Sequence, residues 1–259
     1  MRFEKTDVWG FEHAIRGMRN PMNSWSKSDT VFSEDYRDFI IGENDLDLMQ
    51  RLIKGGSEHR KFLRQIFVSV DITAPLYWWK EADTYKIGTT ANSTSTMHKL
   101  ATTPITIDCF ETDDYKPDII FDEGIDTSGD NPYYYQVSVE DVVGTNEDNY
   151  YRDETIIGFL EALRLKHLDY VEKAKATTSK EDVVYFQDKA KLYWKELIRW
   201  LPESWLQTRT VTMNYENLLN ICKQRKGHKL TEWSQFIDWA HTLPYAKELL
   251  FYNQKVVNE

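Results

Sequence analysis

Residues 199–228 read RWLPESWLQTRTVTMNYENLLNICKQRKGH, and this stretch decides the fold. The Leu201-Pro202 pair breaks the chain, because a proline cannot continue a helix that precedes it. A helical pattern then runs from 215 to 226, and Gly227 closes it as a typical helix terminator. The stretch therefore predicts a break followed by a helix that carries polar residues at regular intervals.

Asn214 and Arg225 are the two polar residues of interest in this stretch. They are eleven residues apart, about three helical turns, so we expect both to project from nearly the same face. An arginine fixed there can hold a phosphate or donate to pyrimidine carbonyl oxygens, and an asparagine can satisfy both edges of a heterocycle. The other interpretation is an ordinary amphipathic helix, in which Arg225 near the C-terminus favours the helix dipole.

Further helices are predicted from apolar residues at helical spacing. An Asn44-Asp45 cap begins the first of them, and Gly55-Gly56 ends it. A Ser-x-x-Asp cap, formed by Ser179 and Asp182, begins another, which runs over 179–200. The remaining patterns run over 154–177 and 231–243.

The segments between the helices predict a strand, a polar loop and an insertion. Apolar and polar residues alternate from 66 to 79, which indicates a strand that Pro75 ends or places at an edge. Residues 89–96 are rich in Thr, Ser and Asn, so we expect a polar loop whose hydroxyls and amides can bind anions. The acidic, turn-rich segment 108–152 predicts a surface insertion within a single domain that spans 1–259.

Composition narrows the classes of function. The 259 residues can bury a full core as one large domain or one domain with a substantial insertion. A net charge of -10 argues against DNA or RNA as a partner, although a few inward cations can still hold one nucleotide. Cys109 and Cys222 are too few for a disulfide framework, which indicates reduced thiols. No apolar run approaches a membrane helix of roughly 18 residues, so we expect a soluble, cytoplasmic protein with no membrane partner.

Two other site types remain open in the N-terminal half. His59 and His98 could ligate a metal with Glu58, Glu81 and Asp83, but their spacing fits no compact ligand motif, and structural histidines are the other interpretation. The aromatic residues Tyr77, Trp78, Trp79 and Tyr85 could stack on a flavin or a base, or they could belong to the core.

Arg199 before the Leu-Pro pair, Asn214, Arg225 and His228 together resemble the C-terminal half of the flavin-dependent thymidylate synthases. In that family an arginine before Leu-Pro binds nucleotide, an asparagine contacts flavin and a later arginine grips the pyrimidine. A histidine follows a few residues later. The resemblance implies the same layout here, with Arg199 and His228 each displaced by about one position.

The N-terminal half resembles the same family through His59, Pro75 and a loop that begins at Asn92. The family's Arg-His-Arg triplet falls at about Thr84-Tyr85-Lys86, and the Glu, Arg and Tyr of its loop become Ser93, Met97 and His98. Charge-assisted contacts to phosphate are about twice as strong as neutral ones. The resemblance therefore implies a divergent member with a degenerate triplet and weak binding of FAD.

The resemblance implies an α+β fold, in which long helices pack a mainly antiparallel sheet, and a homo-oligomer, since family members form tetramers with sites between subunits. It implies transfer of a one-carbon group to C5 of a deoxyuridylate-type pyrimidine nucleotide, with FAD, a reduced nicotinamide and a methylene-folate. Arg225 would be the catalytic contact. The implied nucleotide ligands are Arg199, Ser95, Thr96 and Arg225, and the implied flavin contacts are His59, Lys86, Asn92, Asn214 and His228.

Two alternatives differ from this function. One is a non-catalytic or repurposed relative that keeps the fold and a nucleotide pocket. The other is a related flavin or folate reaction on a modified pyrimidine. Bound flavin in the purified protein would favour an enzyme over the non-catalytic relative, because it absorbs visible light.

Overall fold

The computed structural model describes residues 1–34, 38–95, 99–112 and 152–252, with side chains in the last range from 156 onward. The chain divides into two compact units, Met1–Ser93 with Gln207–Glu259, and Thr94–Leu206. The single domain stays a prediction. Most of the proposed insertion 108–152 lies outside the described residues.

The strands of the first unit are β1 Arg2–Trp9, β2 Val31–Phe32, β3 Phe39–Ile40, β4 Phe67–Pro75, β5 Thr90–Ser93 and β6 Leu206–Asn214. Four of them form an antiparallel sheet in the order β1-β4-β6-β5, and β2 and β3 form a separate hairpin. Strands β1 and β4, and strands β5 and β6, pair antiparallel. Side-chain hydrogen bonds between β4 and β6 join Thr73 to Thr208 and Asp71 to Thr210, so these two strands also run in opposite directions.

The helices complete an α+β fold, which confirms the predicted fold class. They are α1 Phe11–Arg19, α2 Glu43–Lys54, α3 Leu76–Ala82, α4 Arg152–Ala176, α5 Lys180–Arg199, α6 Tyr215–Arg225, α7 Thr231–His241 and α8 Ala246–Leu249. Where a long helix was predicted, its observed ends differ by only one or two residues, the usual uncertainty of helix boundaries. Ser179 caps α5 by accepting the Asp182 N–H, as its Ser-x-x-Asp pattern predicts.

The core of the first unit lies on one face of the sheet. Val68, Val70 and Ile72 of β4 are buried and alternate with more exposed neighbours, which confirms the period-two pattern. Trp78 and Phe236, from α3 and α7, belong to the same buried cluster. The sheet therefore has one apolar face covered by helices and one face rich in Ser, Thr and Asp.

Strand β1 contains a bulge. Its pairing with β4 shifts between Glu4 and Asp7, so three steps along β1 match only two along β4. Lys5 adopts a positive φ of 50° at this point. One extra residue is accommodated there, as in other β-bulges. As a result Phe3 and Val8, five residues apart, both pack against the core.

The second unit is built on a helical hairpin formed by α4 and α5. Leu160 and Leu163 of α4 and Leu197 of α5 share a buried cluster with Ile105 and Phe110. Phe110 is only 8% exposed, so at least this residue of the predicted surface insertion is packed. Among the helices in the described ranges, none combines the length and apolar character that a membrane crossing requires.

Two local predictions were wrong. The N-cap of α2 is Gly42, and the carboxylate of Asp29 accepts the N–H groups of Asn44 and Asp45, so the cap comes from outside the helix. The polar segment 89–96 is not all loop, because Thr90–Ser93 forms strand β5. A polar strand is tolerated there because it lies at a sheet edge, where all four residues are exposed.

The strand predicted within 66–79 ends at Pro75, which is one of the two alternatives that the sequence left open for this proline. Pro75 is its last residue, and Leu76–Ala82 then forms helix α3. A proline fixes φ near the helical value and is tolerated at a helix start, so it suits this junction. Trp78 and Trp79 are therefore helical, and both are buried, as the core interpretation predicts.

Candidate functional site

Asn214 lies at the junction between β6 and α6. Its side-chain oxygen accepts the Asn217 N–H at 3.0 Å, and the Asn217 side chain accepts the Asn214 N–H at 3.2 Å, which forms a capping box. The expectation that Asn214 and Arg225 project from one helical face was wrong, since Asn214 precedes the helix and turns back on its own first turn. This leaves its amide nitrogen, rather than its oxygen, as the group that can address a ligand.

The turn from Lys86 to Thr89 packs on this helix start. The Asn217 amide donates to the Ile87 carbonyl at 2.7 Å. Gly88 has φ +75°, and a Cβ atom there would lie 3.0 Å from Asn217 Oδ1 and 3.2 Å from Asn214 Nδ2. The close approach and the positive φ both require glycine. This contact holds Lys86, a predicted flavin contact, near the N-terminus of α6, with its side chain exposed.

Arg225, at the other end of α6, is the centre of a cluster that we call the Arg225 cluster. Its Nε donates to the Tyr85 hydroxyl at 2.9 Å, and its Nη1 donates to Glu81 Oε2 at 2.8 Å. The guanidinium carbon lies 4.5 Å from the ring centroid of Trp233 and 5.4 Å from that of Tyr85. The members of the cluster are Glu81, Tyr85, Arg225, His228 and Trp233.

His228 joins this cluster through both ring nitrogens. Nδ1 lies 3.2 Å from the backbone N–H of Leu230 and accepts from it, so in the neutral ring Nε2 carries the proton. Nε2 lies 3.5 Å from Glu81 Oε2 and 3.1 Å from Arg225 Nη1. The protonated Nε2 therefore faces the Glu81 carboxylate and cannot accept from Arg225 in that tautomer.

The cluster keeps hydrogen-bond donors available. Arg225 is 18% exposed, and its Nη2 makes no hydrogen bond to any residue within the described ranges. The Tyr85 oxygen accepts from Arg225, so its own O–H is free of this bond. A guanidinium N–H pair beside a hydroxyl can bind a carbonyl or phosphate oxygen.

The other predicted site residues are more scattered. His59 and Asn92 are exposed, His59 in the turn after α2 and Asn92 on the edge strand β5. Arg199 ends α5 in the second unit and pairs with Glu196. Ser95 is half-buried in that unit. Thr96, like His98, lies outside the described residues.

Three residues of the first unit were assigned no role at this site from the sequence. Two of them, Glu81 and Trp233, belong to the Arg225 cluster, and the third is Arg209. Glu81 was considered only as a metal ligand, and no local pattern links it to Tyr85, which lies beyond the end of α3. Trp233 belongs to the apolar face of α7 and gave no separate signal. Arg209 of β6 lies 4.2 Å above the Trp79 ring and donates to Asp83 at 2.8 Å.

The described residues support neither a metal site nor an aromatic stacking site for a flavin or a base. Within the described ranges, no group of three or more His, Cys, Asp or Glu residues is arranged to hold a metal ion. A cavity of about 50 Å³ is lined by Trp78, Trp79 and Tyr85, among others. Ligand pockets usually measure about 300–1,000 Å³, so these rings form core packing rather than a slot for flavin.

The second unit contains a larger groove, which is not lined by the Arg225 cluster. Its volume is about 840 Å³, and it runs between α4 and α5, where Leu168, Val171 and Trp194 line it. None of the predicted site residues lines this groove, so its volume alone does not identify it as the functional site.

The thiol of Cys222 on α6 is buried. Burial raises its pKa to about 12, so this thiol does not supply a thiolate nucleophile.

Solved structures resemble this arrangement of strands and helices. A crystal structure of the flavin-dependent thymidylate synthase ThyX from Helicobacter pylori, complexed with FAD and dUMP, matches with a TM-score of 0.56 and 15% identity over 97% of this chain and 98% of that chain. The fold is ThyX-like. A second ThyX structure from that organism, also with FAD and dUMP, matches with a TM-score of 0.55 and 15% identity over 97% of each chain. No protein-family model and no curated protein sequence matches the chain.

The residues near the start of α6 fit a flavin nucleotide only in part. Lys86 supplies one exposed cation, and Asn214 supplies an amide nitrogen, but its oxygen is used in the capping box. Arg209 is paired with Asp83, so its charge is partly neutralised and does not substitute fully for the arginines of the family's Arg-His-Arg triplet. These residues therefore offer a single charged side chain to a flavin pyrophosphate, and the strength of FAD binding stays a prediction.

Proposed function

We propose that this protein binds a deoxyuridylate-type pyrimidine nucleotide and carries out flavin-dependent transfer of a one-carbon group to its C5. The observation that carries the proposal is the donor set formed by Arg225 Nη2 and the Tyr85 hydroxyl, at the position where the family resemblance implies a pyrimidine contact. The likeness of the fold to ThyX structures that contain FAD and dUMP supports it.

In this proposal each part of the chain has a simple task. Arg225 and Tyr85 donate to a carbonyl oxygen of the base and draw electron density from the ring. Lys86 and Asn214 contact the flavin, with Asn92, His59 and His228 as further contacts. Arg199 holds the nucleotide together with Arg225, and Ser95 and Thr96 contact its phosphate.

Bound reduced flavin would supply a hydride, a methylene-folate the carbon and a reduced nicotinamide the electrons that restore the flavin, so that a methyl group would replace the hydrogen at C5 and this hydrogen would leave as a proton. Arg225 and Tyr85 would orient the base and polarise it, and Lys86 and Asn214 would hold the flavin.

Release of tritium from deoxyuridine monophosphate labelled at C5 tests this function directly. With FAD, reduced nicotinamide and methylene-folate present, wild type should release tritium, and Arg225→Ala should lower the rate by at least about tenfold, the scale of one charged hydrogen bond. Arg51→Ala is the matched control. Arg51 is also paired with a carboxylate, but its partner is Asp47 on α2, and the pair is exposed and does not belong to the Arg225 cluster. Equal rates in wild type and Arg225→Ala would refute the role of Arg225.

A non-catalytic relative is the second candidate, and two observations favour it. Glu81 already neutralises Arg225, and Thr84-Tyr85-Lys86 replaces three basic residues with one lysine. In that case the protein would bind deoxyuridine monophosphate, measured by calorimetry, but release no tritium under any cofactor condition.

We also propose a cytoplasmic homo-oligomer, a tetramer by resemblance to the family. Sedimentation of the purified protein tests the oligomeric state. A monomer at micromolar concentration would argue against sites that are shared between subunits.

A further inference from the structure

Glu81 contacts three other members of the Arg225 cluster through a single carboxylate oxygen. Its Oε2 accepts Arg225 Nη1 at 2.8 Å and the Trp233 indole N–H at 2.9 Å. His228 Nε2 lies 3.5 Å from the same oxygen. Arg225 of α6, Trp233 of α7 and His228 from the segment between them therefore converge on one carboxylate oxygen. This oxygen belongs to Glu81, in the last turn of α3.

These contacts fix the orientation of Arg225. Nη1 is held by Glu81, Nε by Tyr85, and the plane of the guanidinium lies near the Trp233 ring. Nη2 makes no hydrogen bond within the described ranges and therefore remains for a ligand. A guanidinium fixed in this way is pre-organised, so little side-chain freedom is lost when a ligand binds.

The same contacts also change the charge that a ligand meets. Glu81 and Arg225 form an ion pair whose side chains are 35% and 18% exposed, so together they present no net charge. A phosphate that approaches Nη2 also approaches the Glu81 carboxylate and is repelled by it. A carbonyl oxygen carries no net charge and avoids this repulsion.

We propose that Glu81 is a positioning residue that makes the Arg225 cluster selective for an uncharged carbonyl acceptor and against a phosphate. The inference rests on the proposed function and deepens it, because it gives a physical reason why this cluster takes the base of the nucleotide and not its phosphate.

The test compares deoxyuridine, which has the base without phosphate, with inorganic phosphate. In wild type, calorimetry should detect deoxyuridine binding, and millimolar phosphate should not displace it. Glu81→Gln keeps an oxygen acceptor but removes the charge. This variant should bind phosphate at least about tenfold more tightly than wild type, while deoxyuridine binding weakens or stays within about threefold.

Trp233→Phe is the matched variant, because it removes one donor to Glu81 and keeps an aromatic ring beside Arg225. It should weaken deoxyuridine binding without any gain in phosphate binding. Circular dichroism verifies that both variants are folded. If Glu81→Gln fails to fold, the competition in wild type still decides the matter, since displacement of deoxyuridine by phosphate would overturn the proposal.

The outcomes separate this inference from the proposed function. Unchanged phosphate binding in a folded Glu81→Gln variant, or equal weakening of both ligands, overturns the role of Glu81. If wild type binds neither deoxyuridine nor its monophosphate, the proposed function fails. A gain in phosphate binding by Glu81→Gln in that case would still support the charge argument.

Discussion

The carboxylate of Asp45 accepts a hydrogen bond from Arg19 Nε at 2.6 Å, and both side chains are buried. The second carboxylate oxygen accepts from the Ser28 hydroxyl and from the hydroxyl and N–H of Thr30. It also accepts the Asp29 N–H. Asp45 therefore connects α1, α2 and the segment between them through one charged group.

Replacement of Asp45 with Asn should destabilise the protein by about 3–5 kcal/mol, because Arg19 would remain as a buried charge without its partner. Urea unfolding followed by circular dichroism measures this loss. The control is Asp47→Asn on the same helix, where the ion pair with Arg51 is exposed. Exposed pairs contribute about 0–1 kcal/mol, so similar losses in the two variants would contradict the assigned role of Asp45.

Asp45 should also make stability depend on acid. Burial raises the pKa of its carboxyl, but hydrogen bonds from Thr30, Ser28 and Arg19 and the Asp29 N–H outweigh burial, so the pKa lies below its ordinary value. A depressed pKa adds stability that is present above the unfolded value of about 4 and is lost as pH falls through the folded pKa. Wild type should therefore lose more stability than Asp45→Asn between pH 5 and pH 2, roughly. Parallel pH curves would contradict this expectation.

Gly88→Ala should destabilise the turn that packs on α6. The added Cβ would meet Asn217 and Asn214 at a φ of +75°. Gly56→Ala is a matched control, since Gly56 has φ +96° and nothing lies within 4 Å of its added Cβ. Both variants carry backbone strain of about 1–2 kcal/mol, but only Gly88→Ala adds the clash. Its loss of unfolding free energy should be the larger, and equal losses would show that the contact with the capping box is unimportant.

Asn214 has a structural role that can be separated from the proposed flavin contact. Asn214→Ala should cost about 0.5–2 kcal/mol through loss of the cap, whereas Asn214→Ser keeps a capping oxygen and should cost little. If the amide nitrogen contacts flavin, both variants should weaken FAD binding, measured by quenching of flavin fluorescence. Unchanged FAD binding in Asn214→Ser would leave only the capping role.

The long elements of the fold could be predicted because their signals are local. The caps at Ser179 and Gly227 and the alternation along β4 depend on neighbours in sequence. The cap of α2 could not be predicted, since Asp29 reaches it from an earlier segment. Strand β5 escaped detection because Thr90, Asn92 and Ser93 leave only Ala91 as an apolar residue, which gives no alternation, and its pairing with β6 provides the order.

The candidate site was predicted in its central residue but not in its surroundings. Arg225 and His228 do meet, as the resemblance implies for two residues of one site. Glu81 and Trp233 join them from α3 and α7, and contacts between such distant segments depend on the tertiary fold. The convergence of Arg199 with Arg225 stays a prediction.

The bulge in β1 lets Phe3 and Val8 both face the core. Side chains of a regular strand alternate, so Phe3 and Val8, five residues apart, would point to opposite faces if β1 contained no bulge. Deletion of Lys5 would leave two steps on β1 between Glu4 and Asp7, which match the two steps on β4. Phe3 and Val8 would then be four positions apart and would still both face the core. In an alignment of related chains, a gap of one residue here would thus mark the loss of the bulge without a change in which residues of the strand are buried.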